Sequence, residues 1–210
     1  MYTPKHFEEP RIEVLHELMR KHALATLVVK GSAGLDANHI PLHLDESPRP
    51  FGTLRGHVSR SNPVWKSFDP NVPALAVFSG PDAYITPNFY ATKRETGQGV
   101  PTWNYVVAHA HGPLRAIEDP FWLRSHVQEL TRQHESSAPN PWSPEDAPVE
   151  YIDRLLKGIV GLEMVIDRIE GKWKVSQNQP EVNRRGVIEG LQRRGDEMAI
   201  AIAALVRDRG

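Results

Sequence analysis

At 210 residues the chain is long enough to bury a full core, and 40% hydrophobic with 24% charged residues is the make-up of an ordinary globular protein. A formal net charge of -1 gives no global pull toward nucleic acid or an anionic membrane. The lack of cysteine excludes disulfides, thiolate metal sites and a cysteine nucleophile, and no apolar run approaches the roughly 20 residues of a membrane-spanning helix.

Residues 10 to 22 read as a helix, with Pro10 in the first turn and Ile12, Leu15, Leu18 and Met19 at helical spacing. Ala23 to Lys30 reads as a buried strand stopped at Gly31-Ser32-Ala33-Gly34, and Leu35 to Leu44 as the return strand of a hairpin. Parity puts Ile40, Leu42 and Leu44 on one face of that strand and His39, Pro41 and His43 on the other. Pro41 cannot donate to a ladder, so it marks an edge, a bulge or a gap facing a ligand. Residues 51 to 58 form a third strand, and Ser59 to Asn62 turn the chain into a short helix with Val64, Trp65 and Phe68. Ala74 to Ser79 is a fourth strand, followed by a turn at Gly80-Pro81-Asp82, a short fifth strand and a polar loop from Ala91 to Gly99.

From Thr102 the residues alternate with a period of two. Trp103, Tyr105, Val107, His109 and His111 share one large, hydrogen-bonding face, and Thr102, Asn104, Val106, Ala108 and Ala110 the small one. Such an aromatic face suits a flat ligand or a subunit interface, and it equally suits an edge strand of a plain β-core. A helix follows from Pro120 to Glu135, then a Pro- and Ser-rich linker at 136 to 148 and a short helix at Tyr151 to Leu156. Ile159 to Ile169 reads as a strand closed by a turn at Glu170-Gly171-Lys172, and two helices end the chain, the last at Asp196 to Arg207. The sum is an α+β, β-rich chain built on a small antiparallel barrel.

His109 and His111 put two imidazoles on one strand face, as a metal would require. The nearest following acid is Glu118, too far for a cupin-type ligand set, and no HExxH is present, so no metal is expected. No GxSxG marks a serine nucleophile, and Gly97-Gln98-Gly99 lacks the third glycine of a dinucleotide loop. No catalytic set is identifiable. What remains are polar clusters at strand ends: Asn38-His39, His57 to Asn62, Thr102 to Tyr105 and Lys174 to Asn178. Arg60, Ser61 and the free N–H groups of their turn form a candidate monophosphate cradle, while Ser59 to Asn62 would serve as well to cap the next helix.

The blocks MYTPKHF, ANHIPLHL, GHVSRSNPVW, GPDAYITPNFY, VPTWNYVVAHAHG and GKWKVSQNQ resemble, in order and over nearly the whole chain, the PaiB-like family of FMN-binding negative transcriptional regulators. The resemblance implies one FMN-binding split β-barrel domain of the pyridoxamine-phosphate-oxidase type over 1–210, with peripheral helices and a C-terminal helical extension from about 180. It implies a homodimer with FMN at the subunit interface, and DNA as a partner. Carried onto this chain, the FMN contacts are Asn38, His39, Ile40 and Pro41 on the second strand and His57, Val58, Arg60, Ser61 and Asn62 after the third. Thr102, Trp103, Asn104, Lys174, Ser176, Gln177 and Asn178 would complete the pocket, with the partner subunit as a source. The chain departs from the oxidases where they carry a Lys on the second strand and an Arg-Lys pair after the third: here stand His43 and Arg60-Ser61-Asn62. The split barrel also hosts flavin-dependent oxidoreductases and non-catalytic flavin carriers, so those two roles stay open beside the regulator. With no signal-peptide core in MYTPKHFEEPRIEV, a cytoplasmic protein is expected.

Overall fold

A computed structural model describes residues 1–209. Its nine strands are β1 (Leu24–Gly31), β2 (Gly34–Pro41), β3 (His43–Asp45), β4 (Thr53–Ser59), β5 (Ala74–Ile85), β6 (Thr102–Gly112), β7 (Leu114–Ile117), β8 (Ile159–Val165) and β9 (Arg168–Lys174). Its helices are α1 (Ile12–Lys21), α2 (Val64–Ser67), α3 (Ala91–Thr96), α4 (Pro120–Glu135), α5 (Val149–Leu156), α6 (Glu181–Arg194) and α7 (Glu197–Arg209). The strands form two antiparallel sheets, in the orders β2-β1-β5-β6-β9 and β3-β4-β8-β7. The α+β, β-rich class read from the sequence is borne out.

Packing divides the chain into two units. The first comprises residues 1–15, 79–108 and those from 170 onward. Its core includes Ile85, Val106, Ala108, Val175, Val187, Leu191 and Ile202. The larger faces of β6 behave as the alternation predicts: Asn104, Val106 and Ala108 are buried, whereas Trp103 stays 53% exposed with Tyr84 edge-on to it at 5.9 Å. At its centre the carboxylate of Glu9, with no exposed surface, is bound by Arg11 Nε at 2.8 Å and by Arg209. Burial pushes this carboxyl up, but the bonds from Arg11 and Arg209 outweigh it and hold the group at about 2.

The second unit comprises residues 16–78 and 109–169. Here β1 pairs with β2 along the whole hairpin, from Leu24 opposite Pro41 to Gly31 opposite Gly34. Strand β4 pairs with β8 from Thr53 opposite Val165 to Ser59 opposite Ile159, and β7 covers the other edge of β8. A separate apolar cluster of Leu123, Ile152 and Leu156 fastens α4 and α5 together, with Trp122, Val127 and Ile159 against it. α4 starts where the sequence says it must: Asp119 caps it by accepting from the N–H of Phe121 at 2.8 Å, and Pro120 opens its first turn.

Four local expectations are corrected. Gly80-Pro81-Asp82 is no turn, because β5 runs unbroken through it. The ladder of β1 on β5 ends at Leu75–Val77, so the missing N–H of Pro81 lies beyond it. The loop at 91–99 contains α3, whose left-handed Gly97 (φ 71°) sits at its C-terminus, where a glycine ends a helix most cheaply. The return strand from Leu35 breaks at Leu42, and its last residues join the other sheet as β3. Gly171 lies inside β9, not in a turn: its carbonyl accepts from Glu9 N–H at 3.1 Å, and a Cβ there would crowd the Glu9 backbone.

Candidate functional site

Asn38 to Pro41, at the end of β2, and His57 to Asn62, at the end of β4 and its turn, lie apart in sequence and meet in the second unit. Asn62 Nδ2 donates to Asn38 Oδ1 at 2.7 Å, and Asn62 Oδ1 accepts from Val64 N–H at 2.9 Å, so one side chain caps α2 and ties the two segments. Asn62 thus fulfils the capping reading of this turn. Asn38, His39, Ile40, Pro41, His57, Val58, Ser59 and Asn62 line one cavity of about 680 Å³.

The opposite wall of that cavity is apolar and was not foreseen. Ile152, Leu155 and Leu156 of α5 provide it, with Val127 of α4, Ile159 and, from the linker, Trp142. The helical spacing of Ile152, Leu155 and Leu156 was the available signal, but it reads equally well as plain core. His39 is held by Thr26 Oγ1 at 3.0 Å from its Nδ1. His57 Nδ1 lies 3.0 Å from Nε2 of His126, a residue of α4 that no sequence motif picked out. Burial lowers the basicity of His57, and burial first, then the nearness of His57, His43 and Arg55, lowers His126 to about 3.

Arg60 stands on the far side of the same turn. Its Nη1 pairs with Glu118 at 2.5 Å, its Nε donates to Lys157 O at 2.9 Å and its Nη2 to Ile159 O at 3.2 Å. It lines a second cavity of about 500 Å³ with Glu118, Arg124, Asp153 and Lys157. The N–H groups of the turn are not free: Arg60 N–H donates to Gly158 O, Asn62 N–H to Ser59 O and Ser61 N–H to Ser59 Oγ. Ser61 Oγ is 2.8 Å from Ser59 Oγ and remains exposed.

The other predicted set is gathered in the first unit. Lys174 Nζ donates to Thr102 Oγ1 at 2.5 Å and to Trp103 O at 2.8 Å, and burial, then the nearby Lys172, lowers its basicity. Asn104 Nδ2 donates to Ser176 Oγ at 2.9 Å, both being buried, and Ser176 holds a left-handed backbone (φ 66°) unusual for a residue with a side chain. Gln177 closes on its own loop, accepting from Val175 N–H at 2.8 Å and donating to Trp173 O at 2.5 Å. Asn104, Ser176 and Gln177 therefore hold the loop in shape; Trp103 and Asn178 are exposed, and Thr102, Lys174 and Gln177 are half-buried.

A family profile described as "Putative FMN-binding domain" matches residues 1–168. Uncharacterized protein AN0679 of Emericella nidulans is 35% identical over 245 residues, an alignment covering 100% of this chain and 98% of that protein. Protease synthase and sporulation protein PAI 2 of Bacillus subtilis is 29% identical over 209 residues, covering 100% and 98%. Among solved structures, the flavocytochrome Anf3 of Azotobacter vinelandii superposes with a TM-score of 0.60 at 10% identity, over 82% of this chain and 72% of that one. At that identity the likeness speaks for the fold alone, and it bears out the split barrel.

Proposed function

This chain belongs to the PaiB-like family of FMN-binding split-barrel proteins, and from that premise we propose that it works as a flavin-holding regulator, a homodimer with FMN at the subunit interface. FMN supplies a planar, redox-active ring and a terminal phosphate. The residues present suit both. Ile40, Val58, Ile152, Leu156 and Ile159 offer apolar surface for the ring faces, while Asn38, His39, His57 and Asn62 offer donors and acceptors for its edge. The observation that carries this reading is the Asn62–Asn38 bond, which holds two separate segments around one cavity.

The phosphate falls to Arg60 and Ser61. Arg60 and Glu118 are both substantially exposed, so their ion pair contributes little and gives way to a phosphate dianion. The dimer draws support from the half-exposed Tyr84 and Trp103, since contiguous apolar surface commonly marks an interface. The regulatory part draws support from the Bacillus subtilis relative, whose name ties that protein to protease synthesis and sporulation. Direct DNA binding through the basic pairs Arg184-Arg185 and Arg193-Arg194 is expected to be weak and salt-sensitive. The carboxylates of Glu181, Glu189 and Asp196 stand beside Arg185, Arg193 and Arg194 and offset much of the local positive charge that a phosphate backbone would meet.

Titrating flavin-free protein with FMN tests the reading: flavin fluorescence is expected to quench at one FMN per chain, on a species of dimer mass by light scattering. The loaded protein is then mixed with NADH or NADPH and oxygen. Sustained turnover near the ~10 per second typical of enzymes would replace the regulator with an oxidoreductase.

A further inference from the structure

His57 opens onto the cavity from β4, and behind it stands a stack that no ligand reaches. His126 is 1% exposed, Trp122 lies over its ring at 5.1 Å and 22°, and Trp122 Nε1 donates to Glu163 Oε2 at 3.3 Å. Glu163 is in turn clamped by Arg55 and Arg115. The indole fits there because residue 161, directly across the sheet from His57, is glycine; a Cβ would run into the Trp122 ring. Glycine, indole and two imidazoles thus form one fixed assembly ending at the cavity.

Only one proton can lie between His57 Nδ1 and His126 Nε2, and the remaining atom of His126 decides which ring carries it. His126 Nδ1 is buried with no hydrogen-bond partner among the described residues. If His57 donated, the neutral His126 ring would carry its proton on Nδ1, leaving a buried N–H unpaired, which folded proteins rarely tolerate. If His126 Nε2–H donates, Nδ1 keeps only a bare lone pair. A buried acceptor left unpaired is the more common of these two defects in folded proteins. His57 then accepts at Nδ1 and must carry its own proton on Nε2.

We propose that His126 is a positioning residue that fixes His57 in its Nε2–H tautomer, so that the cavity presents a neutral donor to an uncharged acceptor on the edge of a planar heterocycle. This deepens the FMN reading and rests on it. It assigns His57 to a ring carbonyl or imine nitrogen and leaves the phosphate to other groups.

The first measurement uses ¹⁵N-labelled wild-type protein without flavin, in which long-range imidazole ¹H–¹⁵N correlations report the tautomer of each ring. The expected result is a proton on Nε2 of both His57 and His126; a proton on Nδ1 of His57 overturns the proposal. The second compares His126→Leu with His126→Gln, whose amide can donate from near the Nε2 position. His126→Leu should mix the tautomers of His57 and weaken FMN and riboflavin alike by about twofold, the factor set when an even mixture halves the competent form. His126→Gln should recover both properties. Unchanged affinity in His126→Leu, or a loss that His126→Gln does not restore, refutes the role. If the wild-type protein takes up no flavin, the FMN reading fails, while the tautomer spectrum still decides what His126 does.

Discussion

Because His126 is buried neutral, it ties stability to pH in a calculable way. Its folded value of about 3 lies below the ordinary imidazole value of 6.5. As pH falls through that window the unfolded chain takes up a proton that the folded chain refuses, so stability falls toward acid at up to about 1.4 kcal/mol per pH unit. Above about pH 7 neither state is protonated and the effect vanishes. Between about pH 7.5 and about pH 5 the loss works out at about 2 kcal/mol from this ring alone. Urea unfolding of the wild-type protein and of His126→Leu at both pH values isolates it, because His57, His43, Glu129 and Arg55, the ionisable groups around the ring, are common to both. Leucine suits the site, which lies between Leu123 and Leu130 on the buried face of α4. The wild-type protein should lose about 2 kcal/mol more than the variant over that range. Equal losses would refute both the buried neutral ring and its unpaired nitrogen.

Arg60→Ala should weaken FMN by roughly 10- to 100-fold, the worth of a charge-assisted bond, and leave riboflavin nearly unchanged; equal losses in a fluorescence titration would move the phosphate elsewhere. Arg209→Ala removes one of the two cations on the buried Glu9 and should lower stability by about 1.5–3 kcal/mol in urea unfolding. Gly161→Ala drives a methyl group into the Trp122 ring and should cost about 1–3 kcal/mol, with a shift in tryptophan emission as the independent sign that the indole has moved.

The sequence-readable part of the fold is the part set by period and capping. Alternation along β6 separated the buried Asn104, Val106, Ala108 and Ala110 from Trp103, with Val107 as a buried exception, and Pro120 marked the start of α4, because both signals act over a few neighbouring residues. Gly171 misled, because its reason was distant. Gly171 and Gly161 admit Glu9 and Trp122, far away in sequence, and neither approach leaves a local trace. The candidate site divides the same way. Polar residues at strand ends announced Asn38, His57 and Asn62, whereas the apolar wall on α5 carries a spacing that any packed helix shows. His126 was invisible for a stricter reason: its importance lies in a partner 69 residues away and in a nitrogen that bonds to nothing.

The Glu9 clamp also orders events during synthesis. The carboxylate leaves the ribosome roughly 200 residues ahead of Arg209, its partner. At ~5–20 residues per second the two are separated by roughly 10–40 s, during which Glu9 has only Arg11 for a counter-charge. The unit built from residues 16–78 and 109–169 has its whole sequence available before then, whereas the one that buries Glu9 must wait for the closing helix. A ribosome stalled just before Arg209 would therefore hold a nascent chain with one unit finished and the other unsealed, a substrate for chaperones and proteases until that arginine arrives.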